Sequence, residues 1–478
     1  MENTVHWLEP VEWQPTSPEQ TPTLSNGSPP HHLHTPLHVR LTALKNEIDC
    51  VAPAGCWDDA KKITNPYEYI FLSLQRRMAW SIAAIQPLSR SYFKMIELWD
   101  LLDLSANSTA HSAEGPGGFL EAIQARSDAP IPMVAMTLRS TERTVPGWRK
   151  SQAFLHKYPM VHITYGGDNT GNLYTLLNQD VFTAAAEQQG KAQLYTADGG
   201  FDFSADFNGQ ENTVQRLLIA EALAGLTSLQ HGGAMILKLF DMKSRATLEF
   251  LWVLSSCFQH TALVKPHTSR PANSERYWIG TGYRGAPTWV IQFFRGLTAT
   301  DAPSGWTQLF SDLPVFPPAW ITGIQTFQEQ VELHQFNKIQ MTLNLIRTPT
   351  RELVYDLLLQ NIRNSRDWCA RHRIPLNPRY DSLSDEQIAS LNLEEALGPF
   401  QVSGVRMSSP ILSRPPQTHR AWISPHPPPP PTGIAWRTTL PASVLGREPY
   451  QTISGSPLSL LPTPAQFPPY LDLAPERP

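Results

Sequence analysis

Lys238 is the residue whose surroundings most clearly indicate chemistry. It interrupts the apolar run AMILKLF at positions 234–240, and a charged side chain in such a strand needs a compensating partner. Burial lowers the pKa of a lysine and neighbouring carboxylates raise it, while a general base needs a pKa near the working pH. Lys238 is therefore a candidate general base. The alternative is an ammonium group that extends to solvent at the strand end.

Two carboxylates and a second lysine could share a site with Lys238. Asp198 ends the run LYTAD and enters a Gly-Gly pair, so we expect its side chain at the ligand edge of a sheet. A turn-forming role is the alternative, and the nearby Asp202 and Asp206 could serve instead. Glu275 lies in a polar loop before a strand, where an exposed glutamate is the simpler interpretation. Lys94 lies within a helical pattern.

A glycine-rich turn follows a predicted strand and opens a predicted helix, where a backbone can approach a ligand without side-chain interference. A simple tight turn is the alternative. The order of its residues is neither GxGxxG nor a P-loop, so nucleoside triphosphate binding is not expected. Asp168 follows another strand and could accept a hydrogen bond from an adenine amino group, or form an Asx turn. The turn consists of Glu114, Gly115, Pro116, Gly117, Gly118 and Phe119.

Strand-like and helix-like segments alternate through the middle of the chain. This order predicts an α/β fold, with a mostly parallel sheet covered by helices on both faces and ligands at the carboxyl ends of the strands. The predicted strands are 109–114, 133–138, 161–164, 193–198, 234–240, 261–264, 277–283 and 289–294, and the predicted helices between them include 212–229 and 245–258.

Helical patterns also flank this region. We expect a helix over residues 67–86 that stops at Pro87, then a helix capped by Ser89, and later helices at 324–346, 350–370 and 384–397. The predicted division is a disordered leader (1–38), an N-terminal helical segment (39–88), the α/β domain (89–300), a helical accessory subdomain (301–400) and a Pro-rich disordered tail (401–478).

The composition narrows the class of protein. The chain has 44 prolines, which crowd both ends, and an unbroken run from Pro427 to Pro431. That tail is either a spacer or a recognition segment for a proline-motif-binding protein. The four cysteines form no CxxC pair or zinc-like cluster, so neither a metal nor a disulfide is expected. A secretory signal and a membrane span are not expected either, which predicts a soluble protein.

The net charge of −4 argues weakly against a nucleic-acid partner, because phosphate affinity normally comes from lysine and arginine. An RNA-binding surface would have to be a local basic patch within the α/β domain. A solvated surface of mixed charge is the alternative for each residue. The candidates are Arg139, Arg143, Arg149, Lys150, Lys265, Arg270 and Arg276.

Residues 89–295 resemble the FtsJ-like ribose 2′-O-methyltransferases, especially the cap-modifying and viral branches. Five ordered pieces carry the resemblance. They are SRSYFK (89–94), AEGPGGF (113–119), DGGF (198–201), LK (237–238), and SRP with NSE (269–271 and 273–275). The resemblance implies a Rossmann-like fold with a mostly parallel, seven-stranded sheet.

The resemblance also implies roles for individual residues. S-adenosylmethionine would lie over the turn at Gly117 to Phe119, and its implied contacts are Glu114, Gly115, Pro116, Gly117, Gly118, Phe119, Thr137, Asp168 and Asp198. Thr137 begins Thr137-Leu138-Arg139, where such enzymes commonly place an acidic residue. The implied Lys-Asp-Lys-Glu tetrad is Lys94, Asp198, Lys238 and Glu275. In it Lys238 deprotonates the ribose hydroxyl, Asp198 and Lys94 orient and tune that lysine, and Glu275 holds the assembly.

The implied function is ribose 2′-O-methylation of RNA, with the cap-proximal nucleotide of mRNA as the preferred target and ribosomal or transfer RNA as the close rival. A viral member would act in the host cytoplasm or be carried in the virion, and a nuclear location is the alternative. A non-catalytic RNA-binding scaffold with the same fold remains a competing hypothesis. A small-molecule methyltransferase shares the glycine turn but has no need of two lysines.

Overall fold

The computed structural model describes residues 5–12, 18–25, 33, 35–51, 56–72, 81–142, 145–201, 209–311, 316–381 and 387. Several predicted features lie outside this range. They are Asp202, Asp206, Arg143, the helix predicted at 384–397 apart from Gln387, and the Pro-rich tail at 401–478.

Most of the described residues belong to strands or helices. The strands are β1 (His6–Leu8), β2 (Gln20–Leu24), β3 (Thr109–Ser112), β4 (Met133–Met136), β5 (Val161–Thr164), β6 (Ala192–Ala197), β7 (Leu229–Leu239), β8 (Phe258–Val264), β9 (Arg276–Tyr283) and β10 (Trp306–Phe310). The helices are α1 (Pro36–Val51), α2 (Cys56–Thr64), α3 (Ser91–Leu101), α4 (Gly118–Arg126), α5 (Gln152–Lys157), α6 (Leu176–Gln188), α7 (Gln210–Ser228), α8 (Arg245–Ser256), α9 (Thr288–Ala299), α10 (Pro318–Arg347), α11 (Arg351–Arg371) and α12 (Pro378–Asp381).

The main sheet has eight strands in the order β1-β8-β9-β7-β6-β3-β4-β5. The pairs from β5 through β4, β3 and β6 to β7 are parallel, whereas β9, β8 and β1 join as antiparallel neighbours. Parallel strands need crossover connections, and helices supply them here. The predicted α/β, Rossmann-like architecture with a mostly parallel sheet is therefore confirmed. Seven strands come from the predicted domain, and β1 adds an eighth.

Both faces of the sheet are buried, as a parallel sheet requires. In β7, Met235 and Leu237 belong to one hydrophobic core, which also contains side chains of α7 and α8. Ile236 belongs to the other core, together with side chains of α3, α4 and α11. Successive residues of a strand point to opposite faces. The alternation in β7 therefore shows the sheet lying between two helical layers.

The parallel strands end in one row across the sheet. Ser112 pairs with Met136 and with Ala197, Met136 pairs with Thr164, and Ala197 pairs with Leu237. The next residue of each strand must therefore emerge at the same edge. That register brings the segments after β3, β4, β5 and β6 together with Lys238 near the end of β7.

Two predicted elements are wrong. Residues 68–70 form a single turn of 3-10 helix rather than the start of a helix, and the described residues 81–86 are not helical either. Ile82 and Ala83 instead donate backbone hydrogen bonds to the carbonyl oxygens of Tyr69 and Ile70. Residues 289–294, predicted as a strand, lie in helix α9. Its apolar side chains recur at helical spacing on the buried face, which outweighs the β-propensity of valine and the aromatic residues.

The sequence predicts an unstructured leader at residues 1–38. In the part of it that the structure describes, two short segments form strands. His6–Leu8 pairs with Thr261–Leu263 of β8, and β2 pairs with β10 in a separate two-stranded sheet. Sheet pairing supplies the backbone hydrogen bonds that so short a segment could not form alone.

The flanking helices pack against each other and close over one end of the α/β layers. Leu41, Leu44 and Ile48 of α1 share a small core with Trp57 of α2 and with Ile339 and Leu343 of α10. Side chains of α11 instead join the core that contains α3 and α4. Within the described residues, the search for a helix of sufficient length and hydropathy to cross a membrane finds none.

Candidate active site

Two ion pairs form at the edge where the parallel strands end. The Nζ atom of Lys94 lies 2.8 Å from Oε2 of Glu275. The Nζ atom of Lys238 lies 3.3 Å from Oδ1 of Asp198 and donates a hydrogen bond of 2.6 Å to the backbone oxygen of the same residue. All four side chains are between 10% and 15% exposed. The Lys94–Glu275 pair joins residues that are 181 positions apart in the sequence.

The sheet explains the Asp198–Lys238 pair. Asp198 is the first residue after β6, and Lys238 lies near the end of the adjacent β7. Lys238 is opposite Tyr277 in β9, and the Tyr277 hydroxyl donates a 2.8 Å hydrogen bond to Oδ1 of Asp198. Because Tyr277 is fully buried, the position of that hydroxyl is fixed by packing. It holds the carboxylate in place beside the ammonium group.

The loop before β9 fixes Glu275. Ser269 donates a hydrogen bond of 2.6 Å to Oε1 of Glu275, and Lys94 donates one to Oε2. Lys265 donates from Nζ to the backbone oxygen of Glu275, at 2.5 Å, and to two oxygens of Asn273, at 2.5 and 3.0 Å. One lysine side chain thus ties together a loop that has no regular secondary structure. The loop presents Glu275 in a defined orientation.

The charges of the site reinforce one another. Burial alone would lower the pKa of Lys238, but the carboxylates of Asp198, Glu275 and Glu221 offset it, and the pKa is raised overall. Burial alone would raise the pKa of Glu275, but Lys94, Lys238 and Lys265 lower it well below the usual range. At neutral pH Lys238 is therefore an ammonium group and Glu275 a carboxylate. Lys238 must lose its proton before it can act as a base.

Two further carboxyl groups lie near these ion pairs, and their pKa values are raised. Glu221 of α7 is fully buried and accepts a 3.1 Å hydrogen bond from the backbone nitrogen of Gly199. Burial raises its pKa to about 8. Burial and the nearby Asp198 also raise the pKa of Glu114 well above its usual value. Glu221 is therefore mostly uncharged at pH 7.

The glycine turn is closely packed against neighbouring segments. Gly117 has a φ of +101° and precedes the first residue of α4, a backbone conformation that favours glycine. A Cβ atom on Gly118 would lie 2.2 Å from the hydroxyl oxygens of Ser89 and Ser91, and one on Gly117 would lie 3.2 Å from the Trp148 ring. Protein packing alone thus requires glycine here. The peptide bond between Gly115 and Pro116 is cis.

The other residues of the turn are buried. Phe119 is fully buried, with its ring 6.1 Å from that of Tyr277. The Glu114 side chain accepts a 2.7 Å hydrogen bond from the Thr196 hydroxyl. These two side chains support the edge of the sheet from inside.

Thr137 and Asp168 lie in adjoining segments after β4 and β5. Gly171 has a φ of +67°, and a Cβ atom there would lie 2.0 Å from the backbone oxygen of Thr137. The close approach is completed by a 2.7 Å hydrogen bond from the Arg139 nitrogen to the Thr170 oxygen. Asp168 is exposed and accepts hydrogen bonds from both the backbone nitrogen and the hydroxyl of Thr170. An Asx turn is therefore present, and it leaves the carboxylate at the surface of this edge.

The predicted basic patch divides into buried and exposed residues. Arg276 is fully buried and donates to Asp241 at 2.8 Å, so its assignment to an RNA-binding surface is wrong. Lys265 is engaged by the loop before β9, as described above. Arg270 donates two hydrogen bonds to Glu68, at 3.0 and 2.9 Å. Exposed candidates remain at Arg139, Arg149 and Lys150.

Sequence reasoning missed Tyr277 and Glu221 as parts of the site and assigned Lys265 to an RNA-binding surface instead. Glu221 had a recognisable signal, because it is an acid inside the apolar helical run LIAEALAGL, as Lys238 is a base inside an apolar strand. Tyr277 and Lys265 had none. Their partners become visible only when β6, β7, β9 and β8 are assembled in one sheet.

Comparisons with known proteins agree with this geometry. Residues 87–283 match the family model described as FtsJ-like methyltransferase. That range includes both ion pairs and the glycine turn.

Three relatives illustrate the similarity. A cap-specific mRNA (nucleoside-2′-O-)-methyltransferase 1 of Trypanosoma cruzi is 32% identical over 175 residues, which are 36% of this chain and 46% of the relative. A protein of African swine fever virus named "Probable methyltransferase EP424R" is 29% identical over 231 residues, 44% of this chain and 53% of the relative. A cap-specific mRNA (nucleoside-2′-O-)-methyltransferase 1 of Drosophila melanogaster is 31% identical over 168 residues, 34% of this chain and 21% of the relative. The chain thus spans about half the length, or less, of these relatives.

Proposed function

The chain carries an FtsJ-like methyltransferase domain at residues 87–283, and on that premise we propose that it transfers a methyl group from S-adenosylmethionine to a ribose 2′-hydroxyl of RNA. The observation that carries the proposal is the meeting of the Lys94–Glu275 and Lys238–Asp198 ion pairs at one edge of the sheet. A methyltransferase for small molecules would need no such pair of lysines. An RNA-binding scaffold would not need them either.

The residues at this edge suit S-adenosylmethionine. The cofactor supplies a methyl group on a positively charged sulfonium, which leaves readily. Asp198 and the exposed Asp168 place carboxylates at the same edge, where they would favour that charge. A Cβ atom on Gly200 would lie 3.3 Å from Nζ of Lys238, so glycine keeps space open beside the ammonium group. We assign cofactor binding to the segments at 114–119, 137 and 168, with Asp198 at the centre.

Each residue of the tetrad would have one task. Lys238 would accept the proton of the 2′-hydroxyl at Nζ once it has lost its own, because only a neutral amine is a base. Asp198 holds that nitrogen through its carboxylate and backbone oxygens. Glu275 positions Lys94 in the second ion pair. Much of the catalytic effect would come from this fixed geometry.

We propose capped mRNA as the substrate, with the methyl group on a cap-proximal nucleotide. Two of the relatives reported above are named as cap-specific mRNA 2′-O-methyltransferases, and this is what supports the choice over ribosomal or transfer RNA. A protein with this substrate would act in the cytoplasm or the nucleus.

The catalytic assignment is tested by replacing Lys238 with alanine. The full-length Lys238→Ala variant should lose methyl transfer to RNA by at least about a hundredfold, in line with the loss of a general base, while binding of S-adenosylmethionine in calorimetry stays within a fewfold. Lys191→Ala is the matched control, because Lys191 is a half-exposed lysine paired with Glu187 far from the site. Normal turnover by Lys238→Ala would refute the assignment.

The substrate is tested separately with two transcripts that differ only at the 5′ end. We expect capped RNA to be methylated and the matched 5′-triphosphate RNA to be a poor substrate. Equal rates on both would contradict cap dependence and leave RNA methylation standing.

A further inference from the structure

A cavity of about 160 Å³ lies between the flanking helices and the loop before β9. Among the described residues, Lys45 and Ile48 of α1, Trp57 and Lys61 of α2, and Gln335 and Ile339 of α10 line one side, and residues of the 270–274 loop line the other. The space exceeds that of several water molecules at about 30 Å³ each. No residue role proposed for methyl transfer involves this cavity.

The lining of this cavity is positively charged. Its described residues include the cations Lys45, Lys61 and Arg270 and no carboxylate. Each of these cations already has an acidic partner, which for Lys61 is the exposed Asp58. Nζ of Lys45 is 3.6 Å from Asp241, and Arg270 donates to Glu68. Since the described lining holds cations and no carboxylate, the cavity favours an anion.

Arg270 and Arg90 share Glu68 as an acidic partner. Glu68 lies within 2.9 Å of Arg270 and 3.8 Å of Arg90, so one carboxylate faces two guanidinium groups. Burial opposes ionisation of Glu68, yet the two arginines lower its pKa to about 2. Glu275 and Asp58 also interact with Arg270, and Glu275 with Arg90, so the charges around Arg270 are mixed.

The opposite wall is apolar and contains an aromatic ring. Trp57, Ile48 and Ile339 line the cavity and belong to the small core of the flanking helices. An indole is a suitable surface for a nucleobase, since bases stack on aromatic side chains irrespective of sequence. Cations that contact phosphate, combined with such a ring, are the usual elements of single-strand recognition.

The cavity also adjoins the site of methyl transfer. Ser274 lines it and immediately precedes Glu275, and consecutive Cα atoms are about 3.8 Å apart. Lys265 donates to Asn273 and to the backbone oxygen of Glu275, so the same amino group holds the cavity wall and the backbone at Glu275. A polynucleotide whose ribose lies beside Glu275 would bring a neighbouring nucleotide to this opening.

We propose that this cavity binds a nucleotide of the RNA strand next to the one that is methylated, with its phosphate on Lys61 and Arg270 and its base against Trp57. The inference rests on the proposed function for the identity of the polymer. It gives the flanking helices α1, α2 and α10 a task in substrate binding. Side chains of Lys61 and Arg270 are 26% and 34% exposed, so both can be reached from solvent.

Lys61→Ala tests the phosphate contact, with Lys62→Ala as its matched control. The two lysines are neighbours in α2, have side-chain exposures of 26% and 30%, and each pairs with an aspartate three residues earlier, but only Lys61 lines the cavity. The dissociation constant of a fluorescein-labelled single-stranded RNA of 12 nucleotides is measured by anisotropy with the full chain from 50 to 200 mM KCl. Lys61→Ala should bind several-fold more weakly and lower the slope of log K against log salt by about 0.7, the contribution of one phosphate contact.

Lys62→Ala should follow the wild-type protein. If Lys61→Ala and Lys62→Ala bind RNA equally well, the proposal is wrong. The base contact has its own readout, in which the same RNA carrying 5-iodouridine is irradiated and the crosslinked peptide is sequenced. Crosslinking within residues 56–64 supports contact with Trp57, and crosslinking only to other segments overturns it.

These readouts do not depend on turnover. Methyl transfer by the wild-type protein together with equal RNA binding by the two variants would reject the cavity and leave the proposed function intact. Selective loss of RNA binding in Lys61→Ala, without methyl transfer by the wild-type protein, would reject the proposed function and leave the cavity as an RNA-binding site.

Discussion

Replacing Glu221 with glutamine should change how the stability of the protein depends on pH. Glu221 is fully buried, and one of its oxygens accepts from Gly199 while Oε2 has no hydrogen-bond partner among the described residues. Burial raises its pKa from 4.5 to about 8. The folded protein therefore keeps this carboxyl protonated at pH values where the unfolded chain has released the proton.

The sign and size of the effect follow from linkage. A group whose pKa is raised on folding contributes its stability fully below the unfolded pKa of 4.5, and loses it as the pH rises to the folded pKa of about 8. One pKa unit corresponds to about 1.4 kcal/mol, so the wild-type protein should lose about 3 kcal/mol of unfolding free energy through Glu221 between pH 5.5 and 8.5. Glutamine cannot ionise and should remove this loss. Other titrating groups cancel when the two proteins are compared.

The assay is urea unfolding of Glu221→Gln and wild-type protein at a series of pH values from 5.5 to 8.5. The variant should become progressively more stable relative to wild type as the pH rises. Glu187→Gln is the control, because that side chain is 53% exposed, and its curve should run parallel to that of wild type. Parallel curves for Glu221→Gln as well would refute the argument that a buried, protonated carboxyl supports the site.

Two further predictions concern the hydrogen bonds and glycines that position the site. Tyr277→Phe removes the 2.8 Å hydrogen bond to Asp198, a bond to a charged group that contributes about 1.5–3 kcal/mol; we expect kcat to fall about tenfold. Tyr283→Phe, which loses a 2.7 Å bond to a backbone oxygen elsewhere, should reduce stability and leave kcat unchanged, and equal kcat values would count against Tyr277. Gly171→Ala puts a Cβ atom 2.0 Å from a backbone oxygen after β4 at a φ of +67°, so binding of S-adenosylmethionine in calorimetry should weaken and the free energy of unfolding should fall by about 2–5 kcal/mol. Gly190→Ala, with a φ of +90° and nothing within 4 Å, isolates the backbone strain of about 1–2 kcal/mol and should bind the cofactor normally; similar losses in both variants would contradict the role given to the close approach at Gly171.

The sequence predicts the central sheet well because the determinants are local. The parallel strands were recognised as β-prone runs followed by turn residues, and this pattern locates Asp198 and Lys238 at strand ends. A charge within an apolar strand was sufficient to single out Lys238, which the structure buries in an ion pair with Asp198.

Elements that depend on distant partners could not be predicted in the same way. Residues 68–72 are nearly all buried, and their apolar side chains mimic a helix although the segment pairs with residues 82–83. Helix α9 was mistaken for a strand because its valine and aromatic residues have high β-propensity, whereas packing against α7 decides its conformation. Strand β1 has only three residues, and only its pairing with β8 defines it.

In the candidate site, too, local sequence patterns identify some residues, whereas contacts between distant segments could not be predicted. The four ionic residues stand out in the sequence through the resemblance and their ordered motifs, but the contacts that hold them do not. Lys265 looked like a surface cation and instead organises the loop around Glu275. Arg276 looked similar and is buried against Asp241. Nothing in the local sequence distinguishes a lysine or arginine that faces solvent from one that is enclosed by loops of other segments.

The position of the transferred methyl group tests the central claim most directly. Full-length protein is incubated with methyl-labelled S-adenosylmethionine and capped RNA, the RNA is digested to nucleosides, and the labelled product is identified by mass spectrometry. Ribose methylation at a two-lysine, two-carboxylate site predicts a 2′-O-methylnucleoside from the cap-proximal position. Label on a base, or no label on RNA from protein that binds the cofactor, would contradict it.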